Sequence, residues 1–195
     1  ASLPLYAPTF LVKRLLKSSR DELRAILAQA QPTERYEDGM RIGKSHALIV
    51  RSAATLKVSR HGQQIIVQLP PDMSLDDVNV ARDIRDVVIA ALRVEAKSYL
   101  PKRLAFLANK YGFAYEKVRF SHASGRWGSC SSTGTISLNI ALMKLPFELI
   151  DYVIIHELAH TRFMNHSEDF WALVSKGDPE YRAHRRSLKQ ENPSI

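Results

Sequence analysis

The pattern His-Glu-x-x-His over residues 156–160, followed by His166, constrains this chain more than any other stretch. On an α-helix, residues four apart lie on one face, so the side chains of His156 and His160 can converge on a single ion. Glu157 points to a neighbouring part of the same surface. The segment therefore predicts a helix that presents two imidazoles and a carboxylate together, with a third imidazole supplied from beyond its end.

Two imidazoles from a helix, a third ligand from outside it and one water make the open tetrahedral site of a catalytic zinc ion. We predict one Zn²⁺ per chain, held by His156, His160 and His166. A zinc-bound water ionises near neutral pH, and Glu157 beside it can take the proton and later donate it to a leaving amine. This is the chemistry of a metallopeptidase in which Glu157 is first the general base and then the acid.

The same histidine spacing occurs in other classes of zinc protein. Metzincin peptidases share it, with a glycine that lets the chain turn between the second and third histidine; this chain has Phe163 there. A turn at Met164-Asn165 is the better alternative, because Asn tolerates the left-handed conformation. The chain is therefore not expected to be a metzincin.

Several blocks of sequence agree in order and spacing with one known family. They are Gly-Arg-Trp-Gly-Ser-Cys-Ser-Ser-Thr-Gly-Thr-Ile-Ser-Leu-Asn over 125–139, Asp-Tyr-Val-Ile-Ile-His-Glu-Leu-Ala-His over 151–160, Met-Asn-His-Ser over 164–167, and Phe-Trp at 170–171. On these residues the chain resembles the YgjP-like metallopeptidases, whose site is similar to that of the WLM and SprT-like zincins. The resemblance implies zinc at His156, His160 and His166, with Glu157 as the base.

The periodicity of the chain predicts an α+β, zincin-like fold. An N-terminal antiparallel β region is followed by a long helix, a β hairpin and the helix that carries the histidine motif. We assign residues 1–72 to an N-terminal helix and β-hairpin region and residues 73–195 to the zincin-like metallopeptidase region, both within one compact unit. Residues 10–30 have helical spacing, and Pro101 should break or kink the long helix.

A strand just before the motif helix is the predicted contact for substrate. Thr135, Ile136 and Ser137 could form an edge beside the metal, to which an extended peptide adds by main-chain hydrogen bonds. An ordinary hairpin strand explains these residues equally well. For the oxyanion of the tetrahedral intermediate, Tyr181, His184 and Arg185 are all candidates. The sequence alone does not choose among the three.

The net charge of +8 is concentrated in two segments. Residues 41–70 contain five cations and no acid, and residues 97–130 contain seven cations and one acid. Two solvated faces, or a surface for nucleic acid or an acidic partner, would both account for them. The main partner that we predict is nevertheless a peptide or an unfolded protein.

Two other functions remain open on this evidence. A metal-dependent endoribonuclease of the YbeY type would use the same histidine spacing and suit the basic segments, but that family has a small residue where this chain has Glu157. A non-catalytic nucleic-acid-binding protein with a structural zinc is the third alternative. The carboxylate beside the motif favours the peptidase.

A cytoplasmic location is expected from the cysteine content and the hydropathy. Cys130 is the single cysteine, which fits a reducing compartment. No stretch reaches the roughly 20 apolar residues of a membrane span, and the first residues lack the features of a signal peptide. We therefore expect no membrane partner, and the sequence leaves the oligomeric state open.

Overall fold

The computed structural model describes residues 35–195, which form one compact unit. The predicted helix over residues 10–30 lies outside them, and the predicted division between residues 72 and 73 stays a prediction. The strands are β1 (Arg41–Ile42), β2 (His46–Ser52), β3 (Lys57–His61), β4 (Gln64–Leu69), β5 (Lys117–Ser121), β6 (Gly128–Cys130) and β7 (Thr135–Asn139). The helices are α1 (Val78–Tyr111), a 3-10 helix (Ile140–Lys144), α2 (Phe147–Ala159), α3 (Glu168–Gly177) and α4 (Tyr181–Leu188). The predicted α+β class is confirmed.

The first sheet has the strand order β1-β2-β4-β3. Strands β3 and β4 form the predicted hairpin, in which His61 is opposite Gln64. The sheet is not wholly antiparallel as expected, because β2 pairs with β4 in parallel, with Leu48 opposite Ile65. This crossover places β4 inside the sheet, where Ile65 and Val67 are fully buried. Strand periodicity alone does not specify which strands pair or in which direction.

Helix α1 is the central support of the unit. Its buried residues recur at helical spacing along the whole length: Val80, Ala81, Ile84, Val88, Ala91, Leu92, Glu95, Ala96, Leu100, Leu104, Leu107 and Ala108. The helix continues through Pro101 rather than breaking there. Leu100 and Leu104, on either side, are fully buried, so packing offsets the hydrogen bond that proline cannot donate. Among residues 35–195, no helix is both long and apolar enough to cross a membrane.

The second sheet has the order β5-β7-β6 and lies next to the motif helix. The two strands predicted before that helix, β5 and β7, do not form a hairpin with each other: they pair in parallel, and the antiparallel partner of β7 is β6, which lies in the segment predicted to connect them. Asn139 ends β7 and is completely buried. Its side-chain amide donates to the carbonyl oxygens of Ala123 and Arg126 at 2.7 and 2.9 Å, and its oxygen accepts from the N–H of Ala141. One side chain thus holds the loop that leads into β6.

A buried carboxylate joins the first sheet to α1. Glu95 is 7% exposed and accepts hydrogen bonds from the N–H groups of Lys44 and Ser45 and from the hydroxyl of Ser45; its Oε1 lies 2.6 Å from His46 Nδ1. Burial raises the pKa of Glu95, but these hydrogen bonds outweigh it and hold the pKa below its usual value. Gly43 has a φ of +62°, and a Cβ there would lie 2.3 Å from Glu95 Oε2. The turn can therefore close on the carboxylate only with glycine at this position.

Replacing Glu95 with Gln should destabilise the protein, because an amide nitrogen would then face a backbone N–H and the charge-assisted bonds would be lost. We expect the free energy of unfolding from urea titration to fall by about 2–4 kcal/mol at pH 7. The stabilisation that Glu95 adds to the free energy of unfolding should be complete above pH 4.5, the usual pKa of the group. It should disappear as the pH falls through the lower pKa that Glu95 has in the folded state. Asp86→Asn, an exposed site on α1, is the control. Equal stability of the two variants would contradict this role for Glu95.

Candidate metal centre

The structure brings the three histidines of the motif together. His156 lies in the last turn of α2, His160 directly follows that helix, and His166 lies in the loop before α3. One ligand atom from each can be chosen so that all three atoms lie within 4.8 Å of one another. The Nε2 atoms of His156 and His166 are 3.2 Å apart. Two imidazole ligands of one tetrahedral zinc ion would be separated by about 3.3 Å, given Zn–N distances near 2.05 Å.

Packing and one hydrogen bond orient the rings. Phe170 is completely buried, and its ring centroid lies 5.0, 4.5 and 4.8 Å from those of His156, His160 and His166. Nδ1 of His160 lies 3.0 Å from the carbonyl oxygen of Phe163, so it can donate there and leave Nε2 for a metal. The turn needs no left-handed residue at Met164-Asn165, since no non-glycine residue in 35–195 has a positive φ.

Two of the three histidines are held in the neutral form that can bind a metal ion. Burial lowers the pKa of His156 to about 3, and the neighbouring His160, His166 and Arg185 add to this shift. The pKa of His166 is also lowered, by burial and then by His160 and Arg185. Imidazole must be neutral to bind a metal. Both groups are in that form at neutral pH.

Glu157 is held in a tight, dry position beside the histidines. Its side chain is buried between α2 and β6, and the residue is only 6% exposed. A Cβ on Gly128 would lie 2.7 Å from both Cγ and Oε1 of Glu157. Burial raises the pKa of Glu157 to about 8, which the positive charge of Arg126 partly opposes. The carboxyl group can therefore exist with or without its proton near neutral pH.

Unsatisfied polar atoms indicate that this site accommodates a further group. Among buried side-chain nitrogen and oxygen atoms of residues 35–195, three have no hydrogen-bond partner: His46 Nε2, His156 Nδ1 and Glu157 Oε2. Buried polar atoms are rarely left unpaired without a reason. Glu157 Oε2 belongs to this site, whereas the His156 nitrogen that faces His166 is Nε2, so a metal bound there would leave Nδ1 unpaired. The three converging imidazoles and the unpaired carboxyl oxygen fit a site for a divalent metal ion.

The structure does not support the predicted substrate edge at Thr135, Ile136 and Ser137. These residues belong to β7, which pairs with β5 on one side and β6 on the other, and Ile136 is fully buried. Their backbone is therefore not free to pair with a peptide. The outer strand on the side of Glu157 is β6, whose other edge makes no strand pairing within residues 35–195.

Two features of the site were missed at the sequence level. Tyr152 lies one turn before His156, with ring centroids 5.9 Å apart, and burial raises its pKa to about 12. Its spacing of four residues from His156 was the available signal. The contact of Gly128 with Glu157 had no signal, because 29 positions separate the two residues.

The three oxyanion candidates all lie on α4 but differ in their contacts. Tyr181 stacks on Trp171, with ring centroids 5.4 Å apart. The Arg185 guanidinium lies over the same indole at 4.7 Å. His184 Nδ1 is 2.7 Å from Asp178 Oδ2, and its ring is 6.4 Å from that of Tyr152. The oxyanion role therefore stays a prediction for all three.

The two basic segments fall in different elements. Residues 41–70 make up the first sheet, and residues 97–130 run from the second half of α1 to the end of β6. Neither supplies one of the three histidines or Glu157. A nucleic-acid interaction through these segments stays a prediction.

Comparison with known proteins agrees with the sequence resemblance. The family described as YgjP-like, metallopeptidase domain, matches residues 1–191. A search of curated proteins finds no match. Among solved structures, the chain is similar to the metallopeptidase zymogen abylysin of Pyrococcus abyssi, with 28% identity, a TM-score of 0.43 and coverage of 46% of this chain and 91% of that one. It is also similar to the metallopeptidase zymogen jannalysin of Methanocaldococcus jannaschii, with 20% identity, a TM-score of 0.41 and coverage of 46% and 93%.

Substituting Gly128 by Ala should displace Glu157, because the added methyl group would overlap its carboxyl. We expect cleavage of an unfolded protein to fall by about 100-fold, as a misplacement of about 1 Å can cause, while bound metal is retained. Gly125→Ala is the matched control, since a Cβ there has no neighbour within 4 Å. Cleavage rates and metal content can be measured on the same preparations. Full activity in Gly128→Ala would show that the contact does not position Glu157.

Proposed function

The chain belongs to the YgjP-like metallopeptidase family, and from this premise we propose that it is a zinc-dependent peptidase acting on peptides or unfolded proteins. The observation that carries the proposal is the convergence of three imidazoles beside a buried carboxylate with an unpaired oxygen. Metal-assisted hydrolysis of an amide uses a Lewis acid together with a group that moves protons. This arrangement can provide both.

We assign the metal ligands to His156, His160 and His166. An all-imidazole donor set suits zinc better than magnesium or calcium, which prefer oxygen ligands. Three protein ligands leave a tetrahedral ion with one open position, as catalytic zinc sites require. When bound, the ion would supply the positive charge that activates a water and polarises the scissile carbonyl.

We assign proton transfer to Glu157. Its unpaired Oε2 can accept a proton from the attacking water and then donate it to the departing amine. Burial favours the neutral acid, whereas positive charge at the three histidines would favour the carboxylate, so both states are accessible. The surrounding packing keeps bulk water away from this exchange.

The outer edge of β6 is the best candidate to hold an extended substrate. It ends the second sheet on the side where Gly128 contacts Glu157. A peptide that adds to this strand by main-chain hydrogen bonds would lie next to the proposed base. Such binding reads the backbone and tolerates many side chains.

Glu157→Gln should keep zinc and lose peptidase activity, because the amide cannot accept the proton. We expect at least a 1000-fold fall in cleavage of an unfolded protein, within the roughly 10²–10⁴-fold range of general acid–base catalysis. Glu148→Gln, an exposed carboxylate on the same helix, should be fully active. Structured RNA is assayed in parallel. RNA cleavage that Glu157→Gln leaves unchanged, with no cleavage of the unfolded protein by the wild type, would favour the endoribonuclease and eliminate the peptidase.

His166→Ala should weaken zinc binding, because it removes one of three proposed ligands and leaves the helix intact. We expect at least a 100-fold fall in zinc affinity, measured by competition with a chromophoric chelator; ligand-orienting residues alone are worth about 10–100-fold. His61→Ala, an exposed histidine on β3, is the control. Equal zinc affinity in the two variants would remove His166 from the ligand set.

A further inference from the structure

A basic cavity adjoins the metal centre. Its volume is about 310 Å³, and its lining residues are Trp171, Tyr181, Arg182, Arg185, Arg186 and Lys189. Four of the six carry a positive charge, and none is acidic. No carboxylate of residues 35–195 lies within 4.0 Å of these four cationic groups. The surface that lines the cavity is mainly apolar, and its margin therefore carries positive charge without a counter-charge from the described part of the chain.

Stacked rings connect this cavity to the proposed metal ligands. The rings of His166 and Trp171 are 5.5 Å apart and inclined by 21°, and Tyr181 stacks on Trp171 at 5.4 Å and 17°. The Arg185 guanidinium lies 4.7 Å from the Trp171 ring. These contacts place that cation within about 10 Å of His166, which is the length of roughly three extended residues.

The Arg185 side chain lines the cavity next to Trp171. The guanidinium is held over an indole, an arrangement that limits its movement without neutralising it. It therefore remains available to pair with an anion that approaches the site.

We propose that the basic cavity is a specificity subsite that receives an Asp or Glu side chain of the substrate within about three residues of the scissile bond. The inference rests on the proposed peptidase function and adds to it a class of substrate. Guanidinium groups match the planar carboxylate and can bind it through two parallel hydrogen bonds. The cavity volume is at the low end of ligand pockets and is suited to one or two side chains.

The aromatic contacts argue for a carboxylate rather than a nucleic acid. Single-stranded nucleic acids bind by stacking bases on exposed aromatic rings. Here the Trp171 ring already contacts His166, Tyr181 and Arg185, and Arg182 Nε donates to the Tyr181 hydroxyl at 3.1 Å. The rings therefore act as walls that position the cations.

Paired peptides test the subsite directly. A cleavage site is first mapped by mass spectrometry in a zinc-loaded digest of an unfolded protein, and peptides are made with Glu or Gln at each position near it. At one position, we expect kcat/KM to be about 10-fold higher for Glu than for Gln, as charge-assisted hydrogen bonds allow. Arg185→Gln should bring this ratio close to 1. Arg85→Gln, an exposed arginine on α1, should preserve the ratio.

A binding measurement separates this inference from the proposed reaction. With fluorescent peptides and the Glu157→Gln variant, the Glu peptide should bind about 10-fold more tightly than the Gln peptide, and Arg185→Gln in the same background should abolish the difference. Preferential binding without any cleavage by the wild type would support the subsite and refute the peptidase. Cleavage with equal kcat/KM for both peptides would refute the subsite alone. A competition experiment compares an unlabelled Glu peptide with a single-stranded oligonucleotide of equal charge. If the oligonucleotide displaces the fluorescent Glu peptide at a lower concentration than the unlabelled peptide does, the acidic subsite is also refuted.

Discussion

The contact between Glu157 and the backbone of Gly128 is the constraint on which this site depends. A carboxyl group placed beside three imidazoles must be kept dry and fixed, and β6 does both by lying directly against it. The position of β6 depends in turn on Asn139, whose buried amide holds the preceding loop. A short strand without large side chains thus sets the position of the group that we propose as the base. The buried carboxyl group of Glu157 has an unpaired oxygen, which destabilises the folded protein. Groups of this kind are retained at active sites for function rather than for stability.

The local part of this arrangement was predictable from the sequence, and the non-local part was not. Spacings of four residues on a helix are local, so the convergence of His156 and His160 followed from the motif, and a short loop sufficed to return His166. Strand periodicity identified β2, β3, β4, β5 and β7 but does not specify their neighbours. For that reason β7 was expected at an edge and lies in the centre, and the pairing of β2 with β4 was not foreseen as parallel. Pro101 was expected to interrupt α1, but apolar packing on both sides prevails.

One set of rings serves two parts of the site. Trp171 packs against His166 on the metal side and against Tyr181 on the side of the basic cavity. The third proposed ligand and the proposed specificity subsite therefore share a structural support. A substitution of Trp171 would alter metal geometry and substrate preference together. A substitution of Arg185 would alter substrate preference and leave the stacked rings in place. This difference makes the cations of α4 the easier place for specificity to vary among proteins with the same metal centre.

The thin packing of α4 has a consequence for local stability. This helix has no fully buried residue, whereas nine of the thirteen residues of α2 are buried. Opening α4 exposes little apolar surface, so it should cost much less free energy than opening α2, and the amide hydrogens of α4 should exchange with solvent far sooner. The cationic residues of α4 can then separate from Trp171 and return while the three imidazoles stay together. As temperature or denaturant concentration rises, preference among substrates would consequently be lost before the metal is released.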